Sequence, residues 1–192
     1  MTARKQINAI ECMTLKPDHD TPGDWPLTPD DLLGRLTDMG ISFALHHHPA
    51  FFTVAEGEAF EKTIPGLHCR NLFLRDKKKN NFLLCLQNAT AIDLKKLQPV
   101  IGSDRLSFGS PDRLWEYLGV KPGSVCAYAI ANDRHQDVKI CLDASMMGAE
   151  VVNFHPLINT MTIGVKPADL VRFIESCGRT PYILDLSTCK PD

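Results

Sequence analysis

The stretch from His68 to Gln87, HCRNLFLRDKKKNNFLLCLQ, limits what this chain can fold into more than any other. Leu72, Phe73 and Leu74 read as a buried strand. Asp76 to Asn81 is a polar turn, and Phe82 to Leu86 returns as the partner strand. Two apolar runs about a short polar link form a hairpin. Arg70 and Asn71 stand at the entrance of the first strand, and Arg75 with Lys77 to Lys79 at its exit. A lysine run at a hairpin tip is ordinarily a solvated face. The same run is also suited to phosphate contact.

The other elements are read from caps and periodicity. Residues 1–28 are polar, carry Pro17, Pro22 and Pro26, and keep no period, so they are expected to be an extension, partly disordered. Trp25 and Leu27 are placed to pin its end to the domain. Thr28, Pro29, Asp30 and Asp31 open a helix whose apolar face is Leu32, Leu33, Leu36 and Met39, and Gly40 closes it. Ile41 to His48 alternates as a strand. His46, His47 and His48 cannot all reach one ion from a regular strand, because neighbours point to opposite faces. No Cys or carboxylate spacing supports them, so no metal is expected. His48 before Pro49 is instead placed to border a cleft. Thr53, with Glu56 three residues on, reads as the capping box of a second helix. Gly57 inside that helix leaves room for another backbone or a ligand.

Downstream, Asp93 to Val100 reads as a helix halted near Gly102, and Arg105 precedes a short LSF strand. Ser110, Pro111 and Gly119 bound another helix. Val125 to Ile130 and Val138 to Leu142 read as buried strands. Thr160 to Val165 is a further strand, Pro167 to Cys177 a helix ended by Gly178, and Tyr182 to Leu186 the last strand before a polar tail at 188–192. Helices alternate irregularly with hairpins. That predicts an α+β fold: one domain over 29–187, with a mixed, mostly antiparallel central sheet flanked by helices.

A chain of 192 residues suits one domain with a real core. Its formal net charge of −2 gives no bulk basic field, so any nucleic-acid contact must be local. No apolar run is long enough to cross a bilayer, and the first twenty residues lack the apolar core of a secretory signal. The seven cysteines are scattered and never spaced C-x-x-C, which speaks against a zinc site or a disulfide framework. Reduced thiols in the cytoplasm are the simplest account. Cys85, Cys126 and Cys141 lie in apolar runs and are expected in the core. Without a G-x-G-x-x-G, P-loop or G-x-S-x-G motif, neither a nucleotide cofactor nor serine-hydrolase chemistry is supported, and no cofactor is expected.

Functional chemistry concentrates in Gly148 to Asn159, GAEVVNFHPLIN. Val151 and Val152 feed a turn that carries Asn153, His155 and Asn159 around the stiff Pro156. Such side chains beyond a strand end can point into a cleft. They can equally cap a turn by bonding backbone groups.

Four segments together, RNLFLRDKKK, LSFGSPDRLWEYLGVKPGSV, the Asn132-Asp133 pair and GAEVVNFHPLINTMTI, resemble the YbaK/prolyl-tRNA-synthetase-associated editing domains. The similarity spans roughly residues 28–187 and is greatest to the free-standing branch that deacylates alanyl-tRNA(Pro). It implies a YbaK-like fold and trans-editing, the hydrolysis of the ester between a noncognate amino acid and the 3′ end of tRNA(Pro). It also implies transient contact with prolyl-tRNA synthetase. The chain has no helix-turn-helix pattern and no basic helix, so no DNA partner is expected. By the resemblance, Arg70 stands where the family has a lysine, Asn71 matches, and His155 matches the pocket histidine. These are the expected catalytic residues. Gly148, Pro156, Asn159 and His48 are expected to contact the substrate, and Arg75, Arg105 and Lys77 the tRNA. Arginine keeps the charge of lysine but effectively never releases its proton. A non-catalytic tRNA- or amino-acid-binding module of the same fold is the alternative reading.

Overall fold

The computed structural model describes residues 25–50 and 54–191. Helix α1 (Pro29–Asp38) starts on the predicted cap, with the Thr28 hydroxyl accepting from the Asp31 N–H and the Asp31 carboxylate accepting from the Thr28 N–H. Strand β1 (Ala44–His47) is followed by α2 (Val54–Glu61). The predicted Thr53 cap, the side chain of its partner Glu56 and residues 1–24 of the predicted extension lie outside the described residues. Strands β2 (Leu67–Asp76) and β3 (Asn81–Gln87) make the hairpin, longer at both ends than its apolar runs. Helix α3 (Leu94–Ile101) is capped by the Asp93 carboxylate and ends on Gly102. Strand β4 (Leu106–Phe108) and α4 (Pro111–Leu118) follow as predicted, the latter between Ser110 and Gly119. Then come β5 (Val138–Asp143), β6 (Val152–Phe154), β7 (Met161–Val165), α5 (Pro167–Ser176) and β8 (Tyr182–Leu184).

Two expectations change. Val125 to Ile130 is not a strand. A 3-10 helix covers Ala127–Asn132, packed between α4 and α5. The segment is buried, as its composition implies, but a short apolar run does not choose between extended and helical backbone. Its alanines leave room for the tighter path. At the C-terminus, Ser187–Cys189 is a further 3-10 turn, and the Cys189 side chain is fully buried against α3. The Cys189 carbonyl also accepts from the Asp93 N–H at 2.7 Å, so this turn braces the start of α3.

The strands form one mixed sheet in the order β1-β7-β6-β2-β3-β5-β8, with β4 also beside β2. The β1–β7, β6–β7, β2–β3 and β2–β4 pairs are antiparallel, and β2–β6, β3–β5 and β5–β8 are parallel. Alternation along the hairpin feeds two cores. Phe73, Leu83 and Cys85 join α1, α4, α5 and Tyr128 on one face. Leu74, Phe82, Leu84 and Leu86 meet Leu97 of α3, Leu106 and Leu186 on the other. Both faces are thus covered by helices, which is why the hairpin strands read as continuous apolar runs. Cys85, Cys126 and Cys141 are buried as predicted.

Asn132 joins three parts of the domain. Its side-chain oxygen accepts from the Leu27 N–H at 2.8 Å, and its amide donates to the Leu118 carbonyl at 2.9 Å. Its own carbonyl accepts from the Trp25 indole N–H at 3.0 Å, which pins the end of the extension as predicted. Gly119, at φ +60, leaves no space for a Cβ, which would sit 2.5 Å from Pro26. Asn132→Ala should therefore strip partners from two backbone groups and cost about 2–3 kcal/mol, read by urea unfolding. A loss below about 0.5 kcal/mol would show that water replaces both bonds.

Candidate active site

The sheet opens beside β2. On one edge β2 pairs with β3 from Cys69 to Arg75. On the other edge, Leu67 and His68 pair with Val152 and Asn153 of β6, and Leu74 to Asp76 pair with β4. Residues 69–73 therefore have a strand partner on one side only. A cavity of about 200 Å³ lies where β6 parts from β2. His68 and Cys69 line it from β2, and Asn153, Phe154 and His155 from β6 and the turn after it. Thr162 of β7, His48 after β1, and Gly57, Phe60 and Glu61 of α2 complete the described wall.

The imidazoles are fixed by acceptors. His155 Nδ1 lies 2.8 Å from the Met161 carbonyl. A carbonyl only accepts, so Nδ1 carries the proton and Nε2 keeps the lone pair. Burial lowers the His155 pKa from its ordinary 6.5, opposed by the Met161 bond, so the ring is neutral at pH 7. His48 Nδ1 donates to the Pro49 carbonyl at 2.9 Å, and its Nε2 accepts from the Thr162 hydroxyl at 3.0 Å. Its ring lies 4.5 Å from Phe60 and 5.8 Å from His155, centre to centre. His68 Nε2 donates to the Ile64 carbonyl at 3.3 Å.

Around the rings, Glu61 accepts at both carboxylate oxygens from the Asn88 amide, at 3.1 and 3.0 Å. Burial pushes the Cys69 thiol well above its ordinary value, so it is protonated at neutral pH and a poor nucleophile. Asn153 donates to the Pro65 carbonyl at 3.1 Å, while its buried oxygen has no protein partner. A Cβ on Gly164 would come within 2.7 Å of that oxygen, so the glycine in β7 makes room for it. The cavity can thus accept a proton at His155, hold water among polar groups and offer one carboxylate to a cation.

The predicted residues divide into four groups. His48 and His155 come together in the cavity wall. Arg70 and Asn71 are the next residues of β2. Alternation sends Asn71 to the side of Cys69 and Arg70 to the other. The Arg70 guanidinium donates to the Thr90 carbonyl at 2.5 Å. Arg70 Nε and Asn71 Oδ1 are buried without a protein partner. Pro156 is buried, and Arg70, Asn71, Gly148, Pro156 and Asn159 are all outside the lining residues. Gly148 ends the 3-10 helix Ala144–Gly148, and Asn159 lies by the Gly123 turn. Arg75, Lys77 and Arg105 gather at the far end of β2, where Arg75 pairs with Ser107. His68 and Arg75 are seven residue steps apart along β2, roughly 23 Å.

Sequence reasoning gave no role to Glu61, His68 or Thr162. Their relation to His155 is tertiary, and nothing in their local pattern marks them. Gly57 was marked as a place of close approach, and it lines the cavity.

The family model described as the aminoacyl-tRNA editing domain matches residues 48–173. The "Prolyl-tRNA editing protein ProX" of Acetoanaerobium sticklandii is 32% identical over 156 residues, covering 81% of this chain and 95% of that protein. The "Prolyl-tRNA synthetase associated domain-containing protein 1" of Danio rerio is 33% identical over 168 residues, covering 84% of this chain and 91% of its own. A crystal structure proposed to be a trans-editing enzyme for prolyl tRNA synthetase superposes with a TM-score of 0.61 at 18% identity. It covers 82% of this chain and 96% of its own, and supports the mixed-sheet fold.

The lowered His155 pKa has a consequence for stability. Between the folded value and 6.5, the unfolded chain binds a proton here that the folded chain does not. The site's contribution is full above pH 6.5 and is lost as pH falls towards the folded value. His155→Asn removes the titrating group and keeps a donor for the Met161 carbonyl. Wild type should therefore lose more stability than this variant between pH 7 and pH 5 in urea melts. Parallel losses would refute the burial argument.

Proposed function

The chain belongs to the aminoacyl-tRNA editing domain family, and on that premise we propose that it is a trans-editing hydrolase. It releases a noncognate amino acid, alanine foremost, from the 3′ end of tRNA(Pro). The observation that carries the reading is His155, held neutral with its Nε2 lone pair at a polar cavity in the opening of the sheet. The ProX relative, named as a prolyl-tRNA editing protein, supports it.

In the proposed reaction a water molecule attacks the ester carbonyl carbon. His155 orients the water and takes its proton as the C–O bond forms. The bond to the ribose oxygen then breaks, and that oxygen receives a proton, leaving free amino acid and intact tRNA. An aminoacyl ester is already reactive, so positioning and charge stabilisation carry the catalysis. Phe60 and Phe154 wall the cavity and favour a small side chain over the proline ring. A second site of this kind is useful because hydrophobic pockets separate small side chains poorly.

Asn71 meets the terminal nucleotide through its unpartnered Oδ1, and Arg70, on the other face of β2, supplies a fixed positive charge near it. Pro156 fixes the turn that carries His155, His48 shapes the wall, and Gly148 and Asn159 contact the nucleotide outside the cavity. Arg75, Lys77 and Arg105 hold the acceptor stem. The partners are the acceptor end of tRNA(Pro) and, transiently, prolyl-tRNA synthetase, in the cytoplasm. Among the described residues no helix is long and apolar enough to cross a membrane.

The direct test is deacylation of tRNA(Pro) charged with alanine, serine or proline. Alanine should be released and proline spared. Binding of the tRNA without release would leave a binding module and end the hydrolase reading. His155→Ala should lower the rate about 10²-fold or more while changing tRNA affinity little. Equal losses in rate and affinity would deny it a role in chemistry. Arg75→Ala combined with Arg105→Ala should reduce the slope of log affinity against log salt by roughly 1 to 2, and an unchanged slope would remove both from the interface.

A further inference from the structure

Glu61 is the only carboxylate among the described residues lining the cavity. It stands on the last turn of α2, facing a wall built from β2, β6 and β7. Its bonds to the Asn88 amide fix the carboxylate in place, and a carboxylate has lone pairs to spare beyond those two. Its charge is felt at the His155 ring across the cavity. The other described polar groups of the wall are imidazoles, a hydroxyl, an amide and a protonated thiol. A cation entering this space meets one fixed negative charge, beside the proposed base.

Resting on the hydrolase reading above, we propose that Glu61 binds the α-ammonium group of the aminoacyl ester and so orients the ester carbonyl towards His155. Every α-aminoacyl ester carries that group one carbon from the carbonyl, on the same carbon as the side chain. Fixing the ammonium at Glu61 sets where the side chain and the carbonyl fall. The residue then contributes orientation common to all amino acids, and the aromatic walls contribute the choice among them. A structural role alone, tying α2 to the segment after β3 through Asn88, would survive loss of the charge. Glu61→Gln separates the two roles, because the glutamine oxygen still accepts from Asn88 while the negative charge is gone.

The test pairs alanyl-tRNA(Pro) with lactyl-tRNA(Pro), in which a hydroxyl of similar size replaces the ammonium. Both are assayed near pH 6.5, below the usual α-amino pKa of about 7.7, so that the amine is charged. The wild-type chain should favour the alanyl ester by about tenfold or more in kcat/KM, as expected for a charge-assisted bond. In Glu61→Gln the preference should collapse, the alanyl rate falling about tenfold or more beyond any change in the lactyl rate. An unchanged preference, or an equal loss on both esters, overturns the proposal.

A binding arm keeps this separate from the hydrolase reading. Adenosines carrying a 3′-alanylamido or 3′-lactylamido group are not esters and report recognition without turnover. Wild type should bind the first about tenfold more tightly or better, and Glu61→Gln should bind both alike. If no ester is hydrolysed but this difference holds, the hydrolase reading fails and the ammonium site stands. If hydrolysis occurs and the two amides bind equally, the ammonium site fails and the hydrolase reading stands.

Discussion

The divided edge of β2 is the constraint on which the rest of the molecule depends. A strand has two edges, and β2 gives one of them wholly to β3. The other is shared by two partners running in opposite senses, β6 parallel to it and β4 antiparallel. Two strands that approach from different directions cannot meet along the same edge without a gap. Backbone groups left unpaired in such a gap must find water or a ligand. The cavity lies at the β6 side of that break, and Arg70 and Asn71 lie in the unpaired stretch beyond its lining. Unpartnered side-chain atoms collect there as well, at Arg70, Asn71 and Asn153. An opening of this kind is costly for a fold, and two fully buried cores on either side of β2 offset it.

Within the cavity the backbone does most of the electrostatic placing. The Met161, Pro49 and Ile64 carbonyls each bond one imidazole. Each carbonyl holds a ring proton on a chosen nitrogen and turns the other nitrogen elsewhere. For His48 the other nitrogen is taken by Thr162, which makes this ring a brace. For His155 it is the lone-pair nitrogen that remains for chemistry. Burial then keeps the ring neutral, because a positive charge there would be poorly solvated. The same burial silences Cys69, whose thiol would otherwise be the obvious nucleophile in the wall.

The fold was largely legible in the sequence because its punctuation is local. Thr28, Ser110, Gly102 and Gly119 announce helix ends by chemistry that acts within a few residues. The hairpin follows from two apolar runs and a polar link. The segment Ala127–Asn132 was misread because burial alone set its composition, and burial does not choose a backbone path. The candidate site was half legible. The polar turn after a strand marked His155 together with Asn153 and Asn159, and the family resemblance singled out His155 among them. Glu61 and Thr162 did not stand out, since the first reads as the polar face of a helix and the second as a strand residue. Only the parallel pairing of β2 with β6, between residues more than eighty positions apart, brings them around one space.

Arg70 gives the last step of the argument. The resemblance places a lysine there, and a lysine amine can be tuned by burial to exchange a proton. The guanidinium cannot, and in this chain it is also tied to the Thr90 carbonyl on the side of the sheet away from Asn71. Whatever cationic role the position has is therefore electrostatic and fixed in place. Proton transfer in the proposed reaction must then pass to a group that can lose and regain a proton near neutral pH. His155 is suited to that by tautomer and by burial, and it is on the cavity wall. The arginine and the histidine are consistent with each other: a charge that never moves on β2, and a neutral base in the cavity wall.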